Sequence, residues 1–252
     1  MGLTYNRAAK RLMVVDSEVE ETRLWARANI WMAGSSGWAR RSWSLARFTV
    51  EPTDIAYRDR RTLFVCDDNK DRIFRVRRGP DRRWGTRDDR IRSFPTASFG
   101  SGDPEGLEFA LGSLFITDGT DARVYRVRPG RNGVFNGAPP VGDDVVTSFG
   151  TLALGIRDPE DVAYERTTGL LYLISRIDPV IVRTRPGGAL VDQIDISSFG
   201  LVNPAGITLA PGSQNRAVRN VFIADRGVDN DPGQGGDPLE NDGRLFEFAL
   251  IG

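Results

Sequence analysis

The side chains best suited to chemistry in this 252-residue chain are carboxylates that recur beside proline. Asp103 and Glu105 flank Pro104, Asp158 and Glu160 flank Pro159, Glu51 and Asp54 bracket Pro52, and Asn203 precedes Pro204. Hard oxygen donors of this kind suit Ca²⁺ or Mg²⁺ and not a transition metal. The same Asp-Pro pairs also have a structural use, since an Asp oxygen takes a backbone N–H where a turn begins. Both readings stand at this level. A second acidic set, Asp229, Asp231, Asp237, Glu240 and Asp242, lies in a Gly-rich segment near the C-terminus. Its spacing departs from the twelve-residue EF-hand loop. It reads either as a peripheral Ca²⁺ loop or as a solvated loop whose crowded charge Arg226 or Arg244 offsets.

Other acidic residues have plainer uses. Asp16, Asp67, Asp118 and Asp225 each close a short apolar run, and Ser175 holds the fifth such place. A group repeated in every copy of a motif is a turn cap and not a catalyst, since a reaction centre needs a singular arrangement. Asp81 with Asp88-Asp89, and Asp143-Asp144, occupy matching loops, where Arg87 and Arg90 predict a surface salt-bridge cluster or a weak cation site.

Composition removes whole classes of mechanism. With no His there are no His-based triads, relays or metal ligands. A single cysteine, Cys66, excludes an internal disulfide and a Cys-built zinc site. Within an apolar run it reads as a buried, inert thiol. Lys+Arg and Asp+Glu both total 34, so no net field draws nucleic acid or an anionic membrane. The Arg residues are dispersed among acidic neighbours and predict a salt-bridged surface. No apolar stretch approaches a membrane span, and no export signal is visible.

The elements that must position these groups follow from an internal repeat. Pro52-Thr-Asp-Ile-Ala-Tyr57, Pro104-Glu-Gly-Leu-Glu-Phe109, Pro159-Glu-Asp-Val-Ala-Tyr164 and Pro204-Ala-Gly-Ile-Thr-Leu209 align with one another, and Gly2-Leu-Thr-Tyr5 matches their second half. Their apolar residues Leu3, Ile55, Leu107, Val162 and Ile207 lie 52, 52, 55 and 45 positions apart, near the period of propeller blades. Each copy continues into an apolar run such as Leu63-Phe-Val-Cys-Asp67 or Leu171-Tyr-Leu-Ile-Ser175, which predicts a strand covered on both faces. Alternating strands such as Arg123-Val-Tyr-Arg-Val-Arg128 follow, with one face wet. A fourth strand is suggested at Ile91–Phe94, Val145–Phe149 and Gln193–Ile196.

Four strands repeated five times predict an all-β, five-bladed β-propeller of four-stranded antiparallel blades. One domain spans 1–252, with blades near 1–50, 51–101, 102–156, 157–201 and 202–252. The chain ends after the third strand of the last copy. The ring therefore closes either with a three-stranded final blade or with a strand lost to truncation at the start, and truncation is the favoured expectation. Trp25, Trp31, Trp38 and Trp43 crowd into the divergent first copy, as core filling or as a partner or glycan surface.

The Asp-Pro-Glu-Gly-Leu-Glu-Phe and Leu-Phe-Ile-Thr-Asp-Gly elements resemble NHL-like and gluconolactonase-like propellers. The stretches 79–89, 130–136 and 225–243 are similar to bacterial propeller proteins, some of them fused to haemolysin-type calcium-binding repeats. The resemblance implies an extracellular or periplasmic monomer. It also implies an axial metal that Glu105, Glu160 and Asn203 would hold, with Ca²⁺ as the expected cofactor. Propellers host many activities. The leading expectation is a non-catalytic module that binds or scaffolds a protein, glycan or small molecule, without nucleic acid. The alternative is a metal-dependent hydrolase of lactonase, esterase or phytase-like type, with Glu105 or Glu160 as base.

Overall fold

The computed structural model describes residues 1–19, 22, 25–228 and 242–249. The five aligned segments become five inner strands, each opening a separate antiparallel sheet. Blade 1 is β1 (Gly2–Asn6), β2 (Arg11–Val15), β3 (Ile30–Ala33) and β4 (Ala39–Trp43). Blade 2 is β5 (Ile55–Asp59), β6 (Thr62–Asp67), β7 (Arg72–Arg77) and β8 (Arg90–Pro95). Blade 3 is β9 (Pro104–Ala110), β10 (Ser113–Asp118), β11 (Arg123–Arg128) and β12 (Val145–Gly150), and blade 4 is β13 (Pro159–Glu165), β14 (Leu170–Ser175), β15 (Val180–Thr184) and β16 (Leu190–Asp195). Among the described residues blade 5 has three strands, β17 (Pro204–Pro211), β18 (Arg219–Asp225) and β19 (Arg244–Ala249). The architecture is a five-bladed β-propeller.

Burial follows the radius. Every residue of β6, β10 and β14 is buried, while β12 and β16 have no buried residue. A strand covered on both faces sends alternate side chains to opposite neighbours. Leu63 and Val65 therefore join a cluster shared with blade 1, while Phe64 and Cys66 join one shared with blade 3. Five such clusters fill the five seams, and the fifth, Leu3 and Leu12 with Ala210, Phe222 and Ala224, joins blade 5 to blade 1.

Among the described residues the ring closes without a shared sheet, with β1 packed against β17. Arg226 adds an ion pair across the same seam, its Nη1 2.7 Å from Glu18 Oε1. Among the described residues no helix is long and apolar enough to cross a membrane.

Candidate functional site

The inner strands all begin at one end of the ring, and there the ladder is interrupted. Pro104 pairs with Asp118 but Leu107 with Ile116; Pro159 pairs with Ser175 but Asp161 with Ile174; Pro204 pairs with Asp225 but Gly206 with Ala224. In each case one extra residue opposes the second strand. Such bulges re-aim a side chain, and the leading proline is tolerated because the first residue of a strand need not donate to the ladder. Glu105 and Glu160 sit at these bulges, and Ala205 takes the same place in blade 5.

The bulges deliver an acidic mouth. Carboxylate oxygens of Asp68, Asp103 and Glu105 lie within 4.8 Å of one another. A Cβ built on Gly119 would meet Asp158 Oδ1 at 2.9 Å and Asp103 Oδ2 at 3.0 Å, so a larger residue there would push these carboxylates from their present positions. Asp103 Oδ2 accepts the Thr120 N–H at 2.9 Å and its hydroxyl at 2.8 Å. On the far side Arg176 neutralises part of the charge, with Nη2 2.9 Å from Asp158 Oδ2 and Nε 3.4 Å from Glu160 Oε1. Asn203 is buried, and among the described residues its Oδ1 meets no hydrogen-bond donor.

Burial and like charge hold protons here. Glu105 is pushed up to about 8 by desolvation first and then by Glu160, Asp68 and Asp103. Glu160 rises to about 7, again mainly through burial, with Arg226 opposing the shift. Asp68 is raised by burial and by Asp67 and Asp103. A divalent cation would take over the work of these protons. The donors are all hard oxygens and fit Ca²⁺ or Mg²⁺, and among the described residues no His and no mouth-facing thiol competes.

One level deeper, the aligned positions Gly2, Asp54, Gly106, Asp161 and Gly206 form an alternating ring. The sequence reading places Asp54 at the mouth; the structure places it below, 1% exposed, where it is electrostatically coupled to an equally buried Asp161. Asp54 Oδ2 accepts the Leu107 N–H and Asp161 Oδ2 the Ile207 N–H, each at 2.6 Å, so each carboxyl staples its blade to the next. Burial raises Asp54 to about 7 and Asp161 well above the carboxylate range, and the pair holds a proton between them. The plug is possible because glycines surround it: a Cβ on Gly106 would lie 2.4 Å from Asp161 Cα.

Farther along the channel, Glu108 stands where the other inner strands carry Thr4, Ala56, Ala163 and Thr208. Burial lifts it to about 8 although Arg7, Arg166 and Arg219 pull the other way. The two ends of the channel thus differ in sign, acidic where the inner strands begin and basic where they end. Sequence reasoning missed Asp68, Asp161 and Glu108. The signal available was departure from the repeat: Asp68 aligns with Ser17, Gly119, Arg176 and Arg226.

The repeated aspartates sit at turns and at blade entrances. Asp67 accepts the Lys70 N–H at 2.8 Å and Asp118 the Asp121 N–H at 2.7 Å. Asp225 accepts from Val202 and Asn203 N–H at 2.8 and 2.7 Å, and Asp16 from Glu18 N–H at 2.9 Å. Ser175 accepts the Asp178 N–H at 3.1 Å. Asp88 and Asp89 are tied to loop N–H groups of Asp81, Gly79 and Gly85, Asp88 Oδ1 also takes the Thr86 hydroxyl, and among the described residues neither forms an ion pair with Arg87 or Arg90; oxygens of Asp81, Asp88 and Asp89 lie within 4.8 Å of one another. In the C-terminal acidic set Asp242 accepts the Val228 N–H at 3.0 Å; Asp229, Asp231, Asp237 and Glu240 lie outside the described residues. Trp43 packs against the first seam, whereas Trp38 is 75% exposed. Cys66 is buried, donates to the Pro104 carbonyl at 2.9 Å, and is pushed well up in pKa by burial.

No family model matches the chain, and no curated protein matches it in sequence. Solved structures do match its fold. A luciferin-regenerating enzyme superposes with TM-score 0.60 at 12% identity, covering 100% of this chain and 91% of that one. A glutaminyl cyclase of Myxococcus xanthus gives TM-score 0.55 at 14% identity over 100% and 91%. A chain of a nidogen/laminin complex gives 0.54 at 18% over 90% and 72%. Likeness at these identities establishes the β-propeller fold alone, a fold that these neighbours use for both binding and catalysis.

Proposed function

We propose that this propeller is a binding module whose acidic axial mouth takes up one divalent cation of the Ca²⁺ class. The observation that carries the reading is the approach of carboxylate oxygens of Asp68, Asp103 and Glu105 to within 4.8 Å of one another. Three carboxylates at that spacing repel unless protonated or bridged, and a hard cation bridges them with ligands of the type it prefers. Glu160 matches Glu105 on blade 4 and Asn203 matches Asp103 on blade 5, and both would add oxygen donors to the ion. The ion would fasten inner strands of separate blades together and leave the mouth free to receive a protein, glycan or small molecule. Action as an exported monomer belongs to the same reading.

Thermal unfolding with Ca²⁺ and with a chelator tests it. The expected result is a saturable rise in Tm that Glu105→Gln abolishes while leaving the chelated protein folded. An unchanged Tm at millimolar Ca²⁺ would end the reading.

A second reading is supported by the protonation of Glu105 and Glu160. Carboxyl groups tuned to near neutrality suit general acid–base work, and a bound cation could activate water beside them. Lactone, aryl-ester and phosphate-ester substrates supplied with Ca²⁺ separate the two. Turnover that is lost on chelation and in Glu160→Gln would favour the hydrolase.

A further inference from the structure

The end of the ring opposite the acidic mouth holds a cleft of about 220 Å³ between blades 1 and 5. Its charged lining is Arg7, Lys10, Arg11 and Arg216, joined by Tyr5 and Ser35, and it contains no carboxylate. In a chain with equal numbers of acidic and basic residues such a concentration is a local choice. It departs from the salt-bridged surface that the composition predicts: none of these four cations belongs to an ion pair among the described residues. Arg7 is held in position, with Nη2 3.3 Å from the Tyr57 carbonyl oxygen and its guanidinium over the Tyr57 ring at 5.7 Å. Arg11 Nη1 donates to the Lys10 carbonyl at 3.1 Å. Burial first and then the nearby Arg166 lower the Arg7 pKa, with Glu108 and Tyr57 opposing the shift.

We propose that this cleft binds a small phosphate-bearing anion. Arg forks match the oxygen geometry of phosphate and Lys adds a point charge, while the two hydroxyls can donate to remaining oxygens. Drug-sized ligands fill clefts of roughly 300–1,000 Å³, so the volume selects phosphate itself or a short phosphomonoester. The lining offers a single aromatic ring, the half-buried Tyr5, where single-stranded nucleic acid needs successive rings for successive bases.

The test is calorimetric titration of the full chain at low ionic strength with inorganic phosphate, and separately with glycerol phosphate. The expected result is saturable 1:1 binding, weakened at least tenfold in Lys10→Gln/Arg216→Gln and unchanged in Arg82→Gln, which lines an adjoining cleft. Tighter binding of glycerol phosphate would mark a monoester site, and equal binding a free-phosphate site; either supports the proposal. Lys10 and Arg216 are exposed, so the double variant should fold, and matching circular dichroism verifies this. Absence of saturable binding, equal weakening by Arg82→Gln, or preference for an oligonucleotide would overturn the proposal. The Ca²⁺ experiment on the opposite mouth is independent of this outcome.

Discussion

Asp54 of blade 2 and Asp161 of blade 4 are both buried inside the ring, and each carboxyl perturbs the titration of the other, although their blades are not neighbours in sequence. Each also takes a backbone N–H from the following blade at 2.6 Å. A carboxyl pair out of water can share a proton but cannot comfortably carry two charges. The contact is therefore a pH-dependent brace.

Both groups titrate above their unfolded values, near 3.9, so the folded protein keeps the proton longer than the unfolded chain. Their contribution is present in full below about pH 4 and is lost as pH rises through about 7 and beyond. Denaturant unfolding in chelator at about pH 5 and pH 8 should show wild type losing more stability than Asp161→Asn. Parallel losses in the two proteins would refute the shared proton. Asp161→Ala, which strands Asp54, should cost about 3 kcal/mol.

Glu105 supplies the second pH effect. With its pKa near 8 it is largely protonated at neutrality, so a cation must displace that proton. Ca²⁺ affinity should rise between about pH 6 and pH 9, with proton release measurable by calorimetry in buffers of different ionisation enthalpy. Glu105→Gln should bind more weakly and release less. Affinity that is flat across this range would place the ion elsewhere.

Gly106 separates backbone packing from glycine content. Alanine there would put a Cβ 2.4 Å from Asp161 Cα and 2.5 Å from the Glu160 carbonyl oxygen, both unable to yield easily. We expect a loss of about 2–3 kcal/mol or a failure to fold. Gly187 faces open space and has no left-handed backbone, so Gly187→Ala should stay within about 0.5 kcal/mol. Similar Tm values for the two variants would contradict the close approach.

The closing seam can be divided by mutation. Phe222 is fully buried between blades 5 and 1, and Phe222→Ala should cost about 3–5 kcal/mol. The Arg226–Glu18 pair is partly exposed, at 18% and 33%, and Arg226→Gln should cost about 1 kcal/mol or less. A reversed order in denaturant titrations would show that charge and not apolar packing closes the ring.

Cys66 offers a quick check of ring integrity. Buried and with its pKa raised, the thiol should resist a thiol-reactive dye until the seam between blades 2 and 3 opens. Fast labelling of the native protein would show that seam to be looser than described.

Much of this protein was legible from the chain alone. Period and apolar runs are local properties, so five Pro-led copies and strands such as Leu63–Asp67 announced stacked blades, and the Asp-Pro-Glu steps pointed to an acidic mouth. What the sequence could not say was which copies face each other. Asp68 joins Asp103 and Glu105 only because a turn of blade 2 leans toward a bulge of blade 3, and Asp161 reaches Asp54 only because glycines on the inner strands leave the space open. The basic cleft was hidden for the same reason: composition averages charge over the chain, whereas the closed ring gathers Asp68, Asp103 and Glu105 at one end and assembles Arg7, Lys10, Arg11 and Arg216 at the other. Distances between copies belong to the closed ring, and repetition along a chain carries no record of them.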